Sequence, residues 1–134
     1  MRLIFILTLA FAARTGMAQG TLTITVSNIN HNKGIIRACL FTSSKTYLGK
    51  GEVCTELPAT KGTVILEFRE LPLTRYALVV YHDENANGKI DLGLFRIPTE
   101  PYGFPGNPSA FFGPPSFEDA VIEIAADTSV AIRL

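Results

Sequence analysis

Tryptophan is absent from this 134-residue chain, and cysteine and histidine occur only twice each. Without tryptophan there is no indole platform of the kind that stacks against sugars. With two histidines, His31 and His82, no His-Glu-x-x-His zinc helix is possible, and no Gly-x-Ser-x-Gly nucleophile elbow or phosphate-cradling glycine loop occurs. Cys39 and Cys54 are too far apart for a Cys-x-x-Cys redox turn. Basic and acidic residues balance at twelve each, so no cationic surface excess attracts a polyanion and nucleic acid is not an expected partner. A long apolar run is missing beyond the first residues, so the chain downstream of them has no transmembrane segment.

What is present begins at the N-terminus. Met1-Arg2 is a short positive region, and residues 3–13 are apolar apart from Thr8. Gly16 and Ala18 then supply small-x-small spacing, which predicts a signal peptide over residues 1–18, cleaved before Gln19. The expected location is therefore outside the cytoplasm, periplasmic or extracellular. Residues 19–134 suit one domain, with a slight acidic excess once Arg2 and Arg14 are removed. An even cysteine count in an exported chain predicts a Cys39–Cys54 disulfide.

From Gly20 the hydrophobic period is two. Leu22, Ile24 and Val26 alternate with threonines, and Val64, Leu66 and Phe68 repeat the pattern. Strands are expected over residues 22–26, 35–41, 53–57, 63–68, 76–82, 120–124 and 129–134, with a turn at residues 71–74. The near-continuous apolar run at 76–82 reads as a central strand covered on both faces. The expected fold class is all-β: a single antiparallel β-sandwich of about seven strands. Between Asp83 and Phe117 the rhythm stops. This long loop holds six prolines and the aromatics Phe95, Tyr102, Phe104, Phe111, Phe112 and Phe117. A disordered linker is poorer in aromatics, so an ordered excursion over the sandwich is expected. Tyr102, Phe104, Phe111 and Phe112 are candidates for an exposed ligand platform or a packed lid, and phenylalanine-rich composition favours the lid.

The most chemical segment is residues 83–91. Asp83, Asn85, Asn87, the Lys89 carbonyl and Asp91 fall at the first, third, fifth, seventh and ninth positions of a calcium loop, with Gly88 at the bend. Calcium requires six to eight oxygens, and alternate residues of a tight turn direct theirs inward. The twelfth position is Leu94 and the preceding segment is a strand, so this is not an EF-hand; Glu100 is the candidate to complete the shell. With so few carboxylates the expected dissociation constant is about 10⁻⁴ to 10⁻³ M. The competing reading is a metal-free hairpin, because Asn87-Gly88 is a type I′ turn signal.

The same residues carry a resemblance. The 76–82 segment, the 83–91 loop, Gly93, Pro98, Glu100-Pro101-Tyr102-Gly103-Phe104 and Pro115-Ser116-Phe117-Glu118-Asp119-Ala120 resemble a bacterial exported family catalogued as domain of unknown function twenty-one forty-one. Where that pattern often has Ser-Asn, this chain has Pro105-Gly106-Asn107. The resemblance implies an exported β-sandwich-like domain with no established activity. No catalytic residue is assigned. The expected function is a non-enzymatic binding or structural module acting on a protein, peptide or glycan. One alternative is a hydrolase or isomerase that uses His82 with Asp83, Asp91, Glu100, Glu118 or Asp119. The other is a ligand-free accessory domain. His31 reads as a solvated loop residue, His82 as a strand-end histidine bonded to backbone, and Glu84 as pointing outward.

Overall fold

The computed structural model describes residues 16–49, 53–108 and 113–134. The signal-peptide expectation falls almost wholly outside them. Within the described residues eight strands form: β1 (Gln19–Ile29), β2 (Ile35–Phe41), β3 (Val53–Pro58), β4 (Gly62–Pro72), β5 (Arg75–Asp83), β6 (Tyr102–Gly103), β7 (Val121–Glu123) and β8 (Thr128–Arg133). One sheet has the order β4-β1-β8 and the other β3-β2-β5-β6, with β7 also on β5. β6 and β7 share one edge of β5, β7 along Arg75–Ala77 and β6 along Val80–Tyr81. All pairs are antiparallel except β1 with β8, which run parallel from Leu22↔Thr128 to Ser27↔Arg133. That exception follows from the path of the chain. β7 belongs to the five-stranded sheet, and β8 enters the opposite sheet beside a strand from the other end of the sequence, with no hairpin to impose reversal.

The two sheets bury one face each against the other. Leu22, Ile24 and Val26 of β1, Leu66 of β4, Ile36 of β2, Leu78 and Val80 of β5, and Ile132 of β8 are essentially inaccessible in one cluster. In β1 and β4 they alternate with more exposed neighbours, which is the period-two signal made physical. β5 is buried along its whole length after Arg75, because its outer face is covered too. There Cys39, Phe41, Ala77, Val79 and Tyr81 meet Phe104 and Ala120 in a second cluster.

Two boundaries differ from the periodic reading. β4 continues past Phe68 to Pro72, through a register shift against Gly20 and Leu22, with Glu70 at φ 56. Proline is tolerated there because β4 is an edge strand and its missing N–H is not needed. β6 has no sequence signature: two residues pair with β5 only because the long excursion docks. Gly103 is required for that docking, since a Cβ would lie 2.5 Å from the Ile132 side chain and 2.7 Å from the Arg133 carbonyl oxygen.

Candidate functional site

The site grows from the C-terminal end of β5. Asp83 is fully buried. Its Oδ1 accepts the Asn87 N–H at 3.0 Å and its Oδ2 the Gly88 N–H at 2.8 Å. Asn85 Oδ1 accepts the Asn87 N–H at 3.1 Å, and Asn87 Oδ1 accepts the Lys89 N–H at 3.1 Å. Each short side chain thus caps backbone a few residues ahead and winds the loop. The positive φ values fall at Ala86 (55°) and Gly88 (80°), not at Asn87, so the hairpin-type turn expected at Asn87-Gly88 does not form. A type I′ turn requires positive φ at both central residues.

Asp91 faces the inside of this winding. Its carboxylate accepts the Asn85 amide at 2.5 Å and the Asn87 amide at 2.8 and 3.0 Å. The Asn87 and then the Asn85 bonds hold its carboxyl below the usual aspartate range, since both favour the ionised form. Glu100 closes the structure from the far side. It is buried, with Oε1 accepting the Glu84 N–H at 3.0 Å and Oε2 the Asp91 N–H at 3.2 Å. Asp83, Asn85, Asn87, Lys89, Asp91 and Glu100 therefore form one hydrogen-bonded unit. Glu118 and Asp119 stand elsewhere: Glu118 pairs with Arg75 at the opposite end of β5, and Asp119 bonds Ser116.

The register Ile35↔Asp83 and Ile36↔His82 lays the turn before β2 against the start of the loop. Contact is so close there that a Cβ on Gly34 would sit 2.3 Å from the Asp83 carbonyl oxygen. His82 is 1% exposed and its Nε2 lies 2.6 Å from the Lys33 carbonyl, a backbone-bonded strand-end histidine. His31 and Glu84 depart from expectation. His31 Nε2 is 3.0 Å from Glu84 Oε1, and the His31 ring lies 4.6 Å from that of His82. No sequence spacing announces this contact, because strand pairing alone joins positions so far apart.

Beside the loop, the outer face of the five-stranded sheet carries a groove of about 660 Å³. Phe41, Val79 and Tyr81 are among its floor residues, Leu48 and the Cys39–Cys54 disulfide flank it, and Arg37 and Lys89 supply charge. Cys39 and Cys54 are directly opposed on β2 and β3. Arg37 pairs with Glu56, while its Nε is buried without a partner. Burial, ahead of the nearby charges, pushes the Tyr81 hydroxyl up to about 12. Phe104 is 3% exposed and meets Tyr102 edge-on, so both belong to a packed lid. Phe111 and Phe112 lie outside the described residues. Tyr47 joins Phe41 to Phe117 edge-on and donates to the Pro115 carbonyl at 2.9 Å. Past the loop, Leu94 and Phe95 are 84% and 91% exposed on a short turn. Among the described residues no helix is long and apolar enough to cross a membrane.

The family model for an uncharacterised protein conserved in bacteria, DUF2141, matches residues 24–133, which takes in both sheets, the loop and the lid. The chain belongs to the DUF2141 family. No curated protein and no solved structure matches it. Membership of DUF2141 brings no activity with it, so the chemistry rests on the site itself.

Proposed function

We propose that the protein is an exported, non-enzymatic binding module whose ligand seats in the outer-face groove and whose groove wall is braced by calcium in the 83–91 loop. The observation that carries this reading is a shared segment. Gly88, Lys89 and Ile90 line the groove, and Gly88 and Lys89 are held in place by the Asp83 and Asn87 side chains. A cation beside Asp91 takes over from the two amide donors. The Asn85 and Asn87 carbonyl oxygens, which already accept backbone N–H groups, keep a lone pair for it. A cavity of this size with an apolar floor and few polar groups suits a small ligand or a short segment of a protein, peptide or glycan. Export is supported by the disulfide, which persists in oxidising compartments, and by β1 beginning at Gln19, the residue after the expected cleavage.

The calcium part is tested by thermal unfolding. At ten times its dissociation constant calcium stabilises by about 1.4 kcal/mol. Millimolar Ca²⁺ is expected to raise the midpoint and Mg²⁺ to do much less, because its small octahedral shell fits a flexible loop poorly. Asp83→Ala removes the shift, and Glu100→Ala weakens it as strongly if Glu100 completes the shell. No calcium-dependent shift across the millimolar range leaves the loop as a metal-free turn. The groove is tested separately with the anionic apolar dye anilinonaphthalene sulfonate, whose binding Lys89→Glu, on the groove wall, is expected to weaken. Export is tested by N-terminal sequencing of the secreted product, expected to begin at Gln19.

A further inference from the structure

We propose that His31, His82 and Glu84 bind a divalent transition cation of the zinc class, at a site separate from the 83–91 oxygen cluster. The chain has two histidines, and the fold brings both to one corner with a carboxylate. One ligand atom from each of the three residues lies within 4.8 Å of the others. Two imidazole nitrogens and one carboxylate oxygen form a borderline donor set, which zinc and its neighbours accept and hard calcium or magnesium does not prefer.

The surroundings orient the ligands. The Lys33 carbonyl only accepts, so the 2.6 Å contact makes His82 Nε2 the donor and leaves Nδ1 its lone pair. A ligating histidine characteristically donates its other ring N–H to such an outer partner, which fixes both tautomer and ring orientation. His31 Nε2 and Glu84 Oε1 are 3.0 Å apart, bridged by a proton. Ligands on tetrahedral zinc, with bonds near 2.0–2.1 Å, sit about 3.3 Å from one another. Replacing that proton with the cation therefore opens the pair by only a few tenths of an ångström. Closing the set from within 4.8 Å to that spacing falls on the half-exposed His31 and Glu84 side chains, and one weak bond is lost. The His31 proton moves to Nδ1, which now accepts the Lys33 N–H at 3.2 Å, and that exposed hydrogen bond is given up. The His31 and Glu84 side chains are 42% and 39% exposed, so the cation has a route in. Three protein ligands leave a fourth position for water or a donor from a bound partner.

The test titrates Zn²⁺ calorimetrically into the chelator-treated, disulfide-bonded protein, with millimolar Ca²⁺ present throughout. One equivalent is expected to bind. His31→Ala and Glu84→Gln should each weaken it by more than about 100-fold, the upper end of the range for losing a mere outer partner of a ligand, while Asp91→Asn leaves it unchanged. The zinc absorption edge is expected to show two imidazole shells in the parent and one in His31→Ala. His31→Ala carries the test because its side chain is half-exposed, whereas a His82 variant disturbs the buried strand end. Substoichiometric uptake, affinity unaltered by His31→Ala, or zinc displaced by calcium would each overturn the proposal.

Discussion

The two faces of the five-stranded sheet are built by different means. The inner face packs against the three-stranded sheet in a mainly aliphatic cluster drawn from β1, β2, β4, β5 and β8, most of its side chains placed by alternation along their own strand. The outer face is shorter and more aromatic, and it is covered by segments with almost no regular structure. Phe104 directly follows β6, Ala120 comes from the turn before β7, and Tyr47 and Phe117 from loops. An inner residue is inside because of its position modulo two. An outer-face residue is inside only because a distant loop lands on it. The difference separates what holds the molecule folded from what shapes its groove.

Breaking the cluster between the two sheets should cost most. Leu66→Ala, at a position 1% exposed, is expected to destabilise by about 4 kcal/mol in urea unfolding. The disulfide ties the outer edge strand to the sheet across 15 residues, and Cys54→Ala should cost about 3 kcal/mol. Phe104→Ala should cost about 2 kcal/mol, below the usual value for a buried phenylalanine because the lid can settle into the space. If Phe104→Ala cost as much as Leu66→Ala, the lid would be part of the core rather than a cover on it.

pH sharpens the same contrast. Burial raises the Tyr81 hydroxyl, so the unfolded chain ionises first and folded stability falls as pH climbs from about 10. Ultraviolet titration should show Tyr81 un-ionised in the native protein until pH approaches about 12. Asp91 behaves in the opposite sense. Its carboxyl is lowered by Asn87 and Asn85, so its contribution is present above the ordinary value of 3.8 and lost as pH falls below it. Carboxyl NMR should find that Asn87→Ala moves Asp91 back toward 3.8. The smallest effect belongs to the exposed turn: Phe95→Ser should change stability by less than about 0.5 kcal/mol.

Much of the fold was legible in the residues. Leu22, Ile24 and Val26 declared a one-sided strand, and the unbroken run at 76–82 declared one covered on both sides. The cysteines paired as their number and export context suggested. The spacing of Asp83, Asn85, Asn87 and Asp91 located a loop wound by its own side chains, and Glu100 does reach it. Less was legible where contacts are long-range. β6 is too short to have a period, the parallel β1–β8 pairing depends on how the chain crosses between sheets, and the end of β4 was masked by Pro72. His31 read as solvated and Glu84 as outward-facing because nothing within reach along the chain contradicted either reading.

By itself the sequence determined the all-β class, the inner face of each long strand, the cysteine pair and the oxygen-rich loop. Apart from the cysteine pair, which follows from there being only two, these follow from local spacing, where backbone geometry repeats every two residues or a turn must close within nine. Only the tertiary structure decided that Phe104 packs as part of a lid, that the loop forms one wall of a groove, and that His31 meets His82 and Glu84. Those contacts join distant segments through the pairing of β2 and β6 with β5, and no local period records which distant partner a strand end will meet.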